Sequence, residues 1–220
     1  RGDEQSREAC RVVAEVLRND LRFEGLFQFV PENLLRAIPP QNPDAPRFDD
    51  WKGIGAKILV ITRAEVSGGE LRVELKVHFV DTGQQMMAKV YSGRADNPRV
   101  FAHSGSDDIM TLTQYRGIAR TKIAFVSDRD SPKRTSKELW IMDYDGFNPR
   151  RVTVNRSLNI LPAWRSDGKT LAYVSYRRER TPDIYVASIY EGKSANLTAG
   201  QGGNAFAPSY SPDARNIAYA

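Results

Sequence analysis

Along residues 6–21 the apolar positions Ala9, Val12, Val13, Val16 and Leu17 recur three and four apart, which places them on one stripe of a helix. Leu26 to Val30 reads as a strand closed by Pro31. Four prolines between positions 38 and 46 exclude helix interior and central sheet, so this stretch is expected to be an ordered surface loop. Asp49-Asp50 offer a helix start ahead of Trp51, and residues 57–62 form an apolar run of strand length. After Ser67-Gly68-Gly69 the pattern becomes strict alternation: Leu71, Val73, Leu75, Val77 and Phe79 inward, Arg72, Glu74, Lys76 and His78 outward. Asp81-Thr82-Gly83 turns into another strand near Met86 to Tyr91, and residues 99–112 predict a second helix with Val100, His103 and Met110 on its inner side. The sum is an α+β layer domain over residues 1–119, a sheet with helices on one face.

From residue 120 onward the period changes to short strands that repeat. Trp164 to Ser175 aligns with Tyr210 to Ala220 at a spacing of 46, pairing Trp164 with Tyr210, Asp167 with Asp213 and Tyr173 with Tyr219. Lys122 to Arg129 matches Thr170 to Arg177 at a spacing of 48. Second strands follow at Glu138 to Met142 and Asp183 to Ala187, then Gly146 and Gly192 turns, then third strands near Arg151 and Asn196. A period of this length with strand content, four strands per unit, predicts propeller blades. Each copy turns on Ser-x-Asp: Gly168 suits a left-handed turn residue, whereas Ala214 replaces it in the second copy and predicts a less ideal turn. The expected fold is therefore an α+β N-terminal domain, residues 1–119, followed by all-β propeller blades over residues 120–220, two and the start of a third.

Composition adds a charge asymmetry. Residues 1–119 carry 16 basic against 17 acidic side chains, and residues 120–220 carry 16 against 10. The basic clusters Lys133-Arg134, Arg150-Arg151 and Arg177-Arg178-Arg180 fall in expected loops and turns, a solvated rim able to steer an acidic partner. Aromatic residues are not interleaved with them at binding spacing, so nucleic acid is not the expected partner. No run has the length and apolar character of a membrane span, and Arg1-Gly2-Asp3-Glu4 is not an apolar leader. Cys10 is the one cysteine, which excludes an internal disulfide.

The motifs that carry catalysis are missing from the sequence. Gly53-Ile54-Gly55 lacks the third glycine of a dinucleotide loop, since position 58 is Ile58. The sequence has no serine-elbow, Walker, Cys-x-x-Cys or His-Glu-x-x-His motif. His78 is expected at the surface and His103 packed, neither with a carboxylate or cysteine at ligand spacing. Asp143 and Asp145 flank Tyr144 in a turn, too few carboxylates for a calcium loop. Hence no catalytic residue, metal or cofactor is expected.

Phe79-Val80-Asp81-Thr82-Gly83, Gly117 to Val126, Met142 to Gly146 and the Ser-x-Asp blades together resemble the TolB family, periplasmic components of the Tol-Pal cell-envelope system. The resemblance implies a six-bladed propeller behind the first domain, a periplasmic location and a non-enzymatic scaffold, monomeric at full length, supporting outer-membrane integrity and cell division. It implies two partners: TolA, engaged by a tail ahead of the first domain, and the lipoprotein Pal, received on one propeller face. The Pal-facing loop of the family precedes an Ala-Pro-x-aromatic strand, here Ala207-Pro208-Ser209-Tyr210. Asn204, Phe206 and Ala207 are thereby the candidates, with Asn159 and Ile160 in the matching loop one repeat earlier. Against that pattern the chain is expected to be a fragment lacking the tail and later blades, in which Tyr173, Tyr185, Val186 and Phe206 are partly exposed. The rival is part of a prolyl-oligopeptidase-like serine peptidase, which would need a serine elbow beyond residue 220.

Overall fold

Asp3 opens the first helix, α1 (Glu4–Phe23), by accepting a hydrogen bond from the Ser6 amide at 2.7 Å, one of the donors a helix start leaves open. The computed structural model describes residues 3–133, 135–178 and 181–220, and the chain divides into two units, residues 1–120 and 121–220. In the first unit α1 is followed by the short helices α2 (Glu32–Leu35) and α3 (Phe48–Gly53). Next come β1 (Ile58–Ser67), β2 (Glu70–Phe79) and β3 (Gln85–Arg94), an antiparallel sheet in that order, and then α4 (Arg99–Met110).

The two periodicities meet in one core. Ala9, Val13, Val16, Leu17 and Leu21 of α1 pack on Leu71, Val73, Leu75 and Val77 of β2, joined by Ala102 and Ile109 of α4. Each large side chain buried there contributes about 1.5–3 kcal/mol. Gly105 lets α4 lie close, because a Cβ at that position would stand 3.1 Å from Leu75 Cδ2. Gly68 and Gly69, with φ of 58° and 81°, make the two-residue hairpin that pairs Ser67 with Glu70. The proline-rich stretch is a loop, pinned where Asp44 receives Arg63 at 3.0 Å and Lys76 at 3.2 Å.

Four expectations for this unit are corrected. Leu26 to Val30 is not a strand: among the described residues β1, β2 and β3 pair only with one another and leave it no ladder, and Phe27 and Phe29 instead pack on the core. Phe79 is exposed at the end of β2, where the chain turns back with Gly83 N on Phe79 O at 2.8 Å, and Val80, one residue on, is buried instead with Ala56 and Leu59. Val100 is exposed because it lies across the helix from Ala102, Ser106 and Ile109, which face the core. His103 does have a carboxylate partner: its Nδ1 lies 2.8 Å from Asp20 of α1, both groups buried.

The second unit is built of antiparallel sheets. β4 (Lys122–Ser127), β5 (Glu138–Asp143) and β6 (Arg150–Arg151) form the first. β7 (Asn159–Trp164), β8 (Thr170–Ser175), β9 (Asp183–Ser188) and β10 (Ser194–Asn196) form the second, and β11 (Ser209–Tyr210) pairs with β12 (Ile217–Ala218). The repeat holds at the level of single pairs: Phe125 opposes Trp140 as Tyr173 opposes Tyr185, and Trp164 opposes Leu171 as Tyr210 opposes Ile217. These are propeller blades. The first has three strands rather than the expected four, since one repeat back from β7 the chain is occupied by the Thr111–Thr113 turn that ends α4.

The second blade is covered on both faces. Tyr173, Tyr185 and Ala187 meet Leu139 and Val126 of the first blade, while Ala172 and Ile184 meet Ala205, Tyr210 and Ile217. Tyr173 and Tyr185 are therefore buried rather than partly exposed, at 0 % and 4 %; Val186 and Phe206 are half-buried.

Candidate partner-binding surface

The connections between blades are held by one hydrogen-bond device used twice. Thr153 donates to the buried Glu138 carboxylate and accepts the Leu139 amide at 2.9 Å. Thr198 donates to Asp183 at 2.9 Å and accepts the Ile184 amide at 3.1 Å. One hydroxyl thus ties the end of the last strand of each blade to the start of the strand before it, fixing where the chain leaves for the next blade.

Asn159 completes the first of these exits. Its Nδ2 donates to Lys137 O at 2.9 Å, Asn155 Oδ1 at 2.8 Å and Glu138 at 3.1 Å, and its Oδ1 accepts from Ser175 at 2.7 Å. It is wholly buried in β7. That corrects the expected loop position: Asn159 lies in β7, and its amide, with its bonds satisfied inside the blade, acts as an internal pin. Ile160, the next residue, is half-buried.

One repeat on, Asn204 and Ala207 are exposed and Phe206 is half-buried. Phe206 pairs its backbone with Ala220, at 2.7 and 2.9 Å, and its ring sits edge-on to Tyr176 with centroids 6.5 Å apart. Ala205 between them is buried, its amide on Pro182 O at 2.9 Å. Ile160 and Phe206 stand 46 residues apart at matching places in the repeat, Ile160 within β7 and Phe206 just ahead of β11, and β7 and β11 lie near each other. Leu161 and Ala207, each just before a proline, both have left-handed φ, 54° and 48°, and both are exposed. Leu161 was missed in the sequence; its signal was its alignment with Ala207 in the repeated x-Pro-x-aromatic strand.

The basic side chains are largely engaged rather than forming a loose rim. Arg150 and Arg151 lie in β6, not in a loop; Arg151 reaches Asp130 at 3.0 Å and Arg150 donates to Ile189 O at 2.9 Å. Arg129 stacks on Trp140 at 4.5 Å, and Arg177 on Tyr185 at 3.8 Å while donating to the Tyr173 hydroxyl. Of the expected clusters, Arg134 and Arg180 lie outside the described residues.

The turn carboxylates are held ionised. Burial works against the charge of Asp167, but the amides of Lys169 and Thr170 and the Thr170 hydroxyl outweigh it and keep the carboxyl below its ordinary value. Asp213 is lowered by the Ser211 hydroxyl and the Arg215 amide. Asp143 is bound by Lys122 at 2.6 Å and Asn148 at 2.7 Å, and Asp145 accepts the Phe147 amide, so both serve the turn around Tyr144.

Comparison with known proteins covers both units. The TolB amino-terminal domain matches residues 1–86 and the TolB beta propeller domain matches residues 109–220. The Tol-Pal system protein TolB of Desulfosudis oleivorans is 32 % identical over 219 residues, 96 % of this chain and 48 % of that protein. The protein of the same name from Geobacter metallireducens is 35 % identical over 171 residues, 77 % of this chain and 39 % of its own length. The crystal structure of TolB from Acinetobacter baumannii superposes with a TM-score of 0.78 at 27 % identity, covering 94 % of this chain and 51 % of that one. The chain spans about half the length of these relatives or less. With its amino-terminal domain and its blades matched in order by the two halves of one family, the chain belongs to the TolB family.

Proposed function

We propose that this chain supplies the N-terminal domain, residues 1–119, and the first two blades and start of a third, residues 120–220, of a periplasmic Tol-Pal scaffold. It acts by binding, not by catalysis. It joins TolA, and through it the inner-membrane Tol proteins, to the peptidoglycan-associated lipoprotein Pal, in support of outer-membrane integrity and cell division. The observation that carries this reading is the ordered match of both units to TolB, in relatives that bear the name Tol-Pal system protein.

Pal docks, on this reading, where the chain enters a blade: at Ile160 and Leu161 in the first half of β7 and at Asn204, Phe206 and Ala207 ahead of β11. Backbone pairing of Phe206 with Ala220 and the edge-on Tyr176 ring hold that loop in shape before a partner arrives, which limits the ordering cost of binding. At the length of its relatives the protein is a monomer. The test is calorimetric titration with purified Pal of the chain extended to that length, unaltered and as Asn204→Ala and Phe206→Ala. The expected result is at least about tenfold weaker binding by each variant, the loss of one well-placed contact; unchanged affinity in both removes the site from this surface.

A further inference from the structure

A cavity of about 260 Å³ opens in the first blade beside Asp128. Its origin is visible in the repeat. Forty-eight positions later the same place is taken by Tyr176, whose ring packs against Phe206. Asp128 puts a carboxylate where an aromatic ring stands in the next blade, and the volume stays open.

The charges around the cavity are unequally engaged. Glu138, buried in its wall, already accepts the Arg156 amide at 2.7 Å, Asn159 at 3.1 Å and the Thr153 hydroxyl. Asp130 is paired with Arg151 at 3.0 Å. Asp128 is half-buried, and no side chain or amide among the described residues donates to its carboxylate. Arg156, also in the wall, is exposed. Three carboxylates thus face two guanidiniums, and the one unengaged acid is the one drawn partly out of water, where a missing partner costs most.

We propose that this cavity binds one organic cation, a guanidinium or primary ammonium group, with Asp128 as its counter-ion. A hydrated metal fits poorly: calcium needs six to eight oxygens, and the other two carboxylates are committed to Arg151 and to the blade's own hydroxyl, amide and Asn159 donors. An anion meets the wrong net sign. A cation on a flexible stem fits both the volume and the charge, whether it is borne by a polypeptide or free. The inference does not rest on Pal or TolA.

Amide NMR of the 220-residue chain tests it, with ethylguanidine as the free cation, acetyl-Gly-Arg-Gly-amide as the peptide-borne one and sodium acetate as the anion. Saturable shifts at Asp128, Ser131, Ser136 and Arg156 are expected with both cations. Tighter binding of the peptide marks a protein-borne ligand, and equal or tighter binding of ethylguanidine marks a free one. Asp128→Asn weakens binding about tenfold, the loss of one charge-assisted bond. Asp128→Tyr, which fills the space as Tyr176 does, abolishes it while the remaining spectrum is unchanged. The proposal is overturned by saturable shifts with acetate, by no saturable shifts with either cation, or by Asp128→Asn and Asp128→Tyr chains that bind as the original does.

Discussion

Leu161 and Ala207 stand 46 residues apart and share a left-handed backbone, φ 54° and 48°, each one residue before a proline. For residues with a Cβ this conformation costs about 1–2 kcal/mol. At Leu161 it falls inside the irregular step where β7 loses register with β8, between Ile160 and Ala163. Two repeats carrying the same strained residue at the same place make it a property of the blade entrance. That entrance is also where the chain presents exposed apolar side chains, and strain of this kind is concentrated at functional sites.

The inner turn carries the same conformation with different residues. Gly168 has φ 64° with open space where a Cβ would stand, and Ala214, its counterpart, has φ 58°. Ala214→Gly is expected to raise stability by about 0.5–1 kcal/mol and Gly168→Ala to lower it by about 1 kcal/mol. Urea unfolding of the two variants measures both; a destabilised Ala214→Gly would show that the turn is held by something other than backbone preference.

The threonine devices differ in depth. Thr153→Val leaves Glu138, 6 % exposed, and the Leu139 amide each short of a partner, and is expected to cost about 1–3 kcal/mol. Thr198→Val is expected to cost less, because Asp183 is only half-buried and keeps Asn196 at 2.9 Å. Unfolding free energies in the reverse order would contradict this account of the blade exits.

Acid should loosen the turns. Asp167 and Asp213 have carboxyls held below their ordinary value by turn hydrogen bonds, so their contribution is complete above the unfolded value of about 3.9 and is lost as pH falls through the lower folded values. Carboxyl-detected NMR titration should place both midpoints below that of a free aspartate, with the Lys169 and Arg215 amides shifting in step. Midpoints at or above the free value would mean the turns do not select the ionised form.

Much of this architecture was legible because it repeats. The 46- and 48-residue spacings aligned Trp164 with Tyr210 and Phe125 with Tyr173 before any pairing was known, and the strands confirm both alignments. What escaped depended on partners far away in sequence. The bond from His103 to Asp20 spans 83 residues, and Val80, rather than Phe79, is buried because Ala56 and Leu59, some twenty residues earlier, pack against it. Asn159 looked like a loop residue because its five neighbours in space come from three different segments of the chain. The aromatic pairs looked exposed because a count of missing blades does not reveal which face the first blade covers.

The central claim is a Pal-binding surface that is complete only when the blades close into a ring, each covering the next as the first covers Tyr173 and Tyr185. Calorimetric titration of Pal into the 220-residue chain, and into the same chain extended to the length of its curated relatives, tests it most directly. The account predicts binding by the longer protein and at least about tenfold weaker binding, or none, by the 220 residues alone, which hold Asn204 to Ala207 in shape but carry only the first blades of the partner face. Equal affinities would contradict the dependence on a closed ring, and no binding by either protein would contradict the partner.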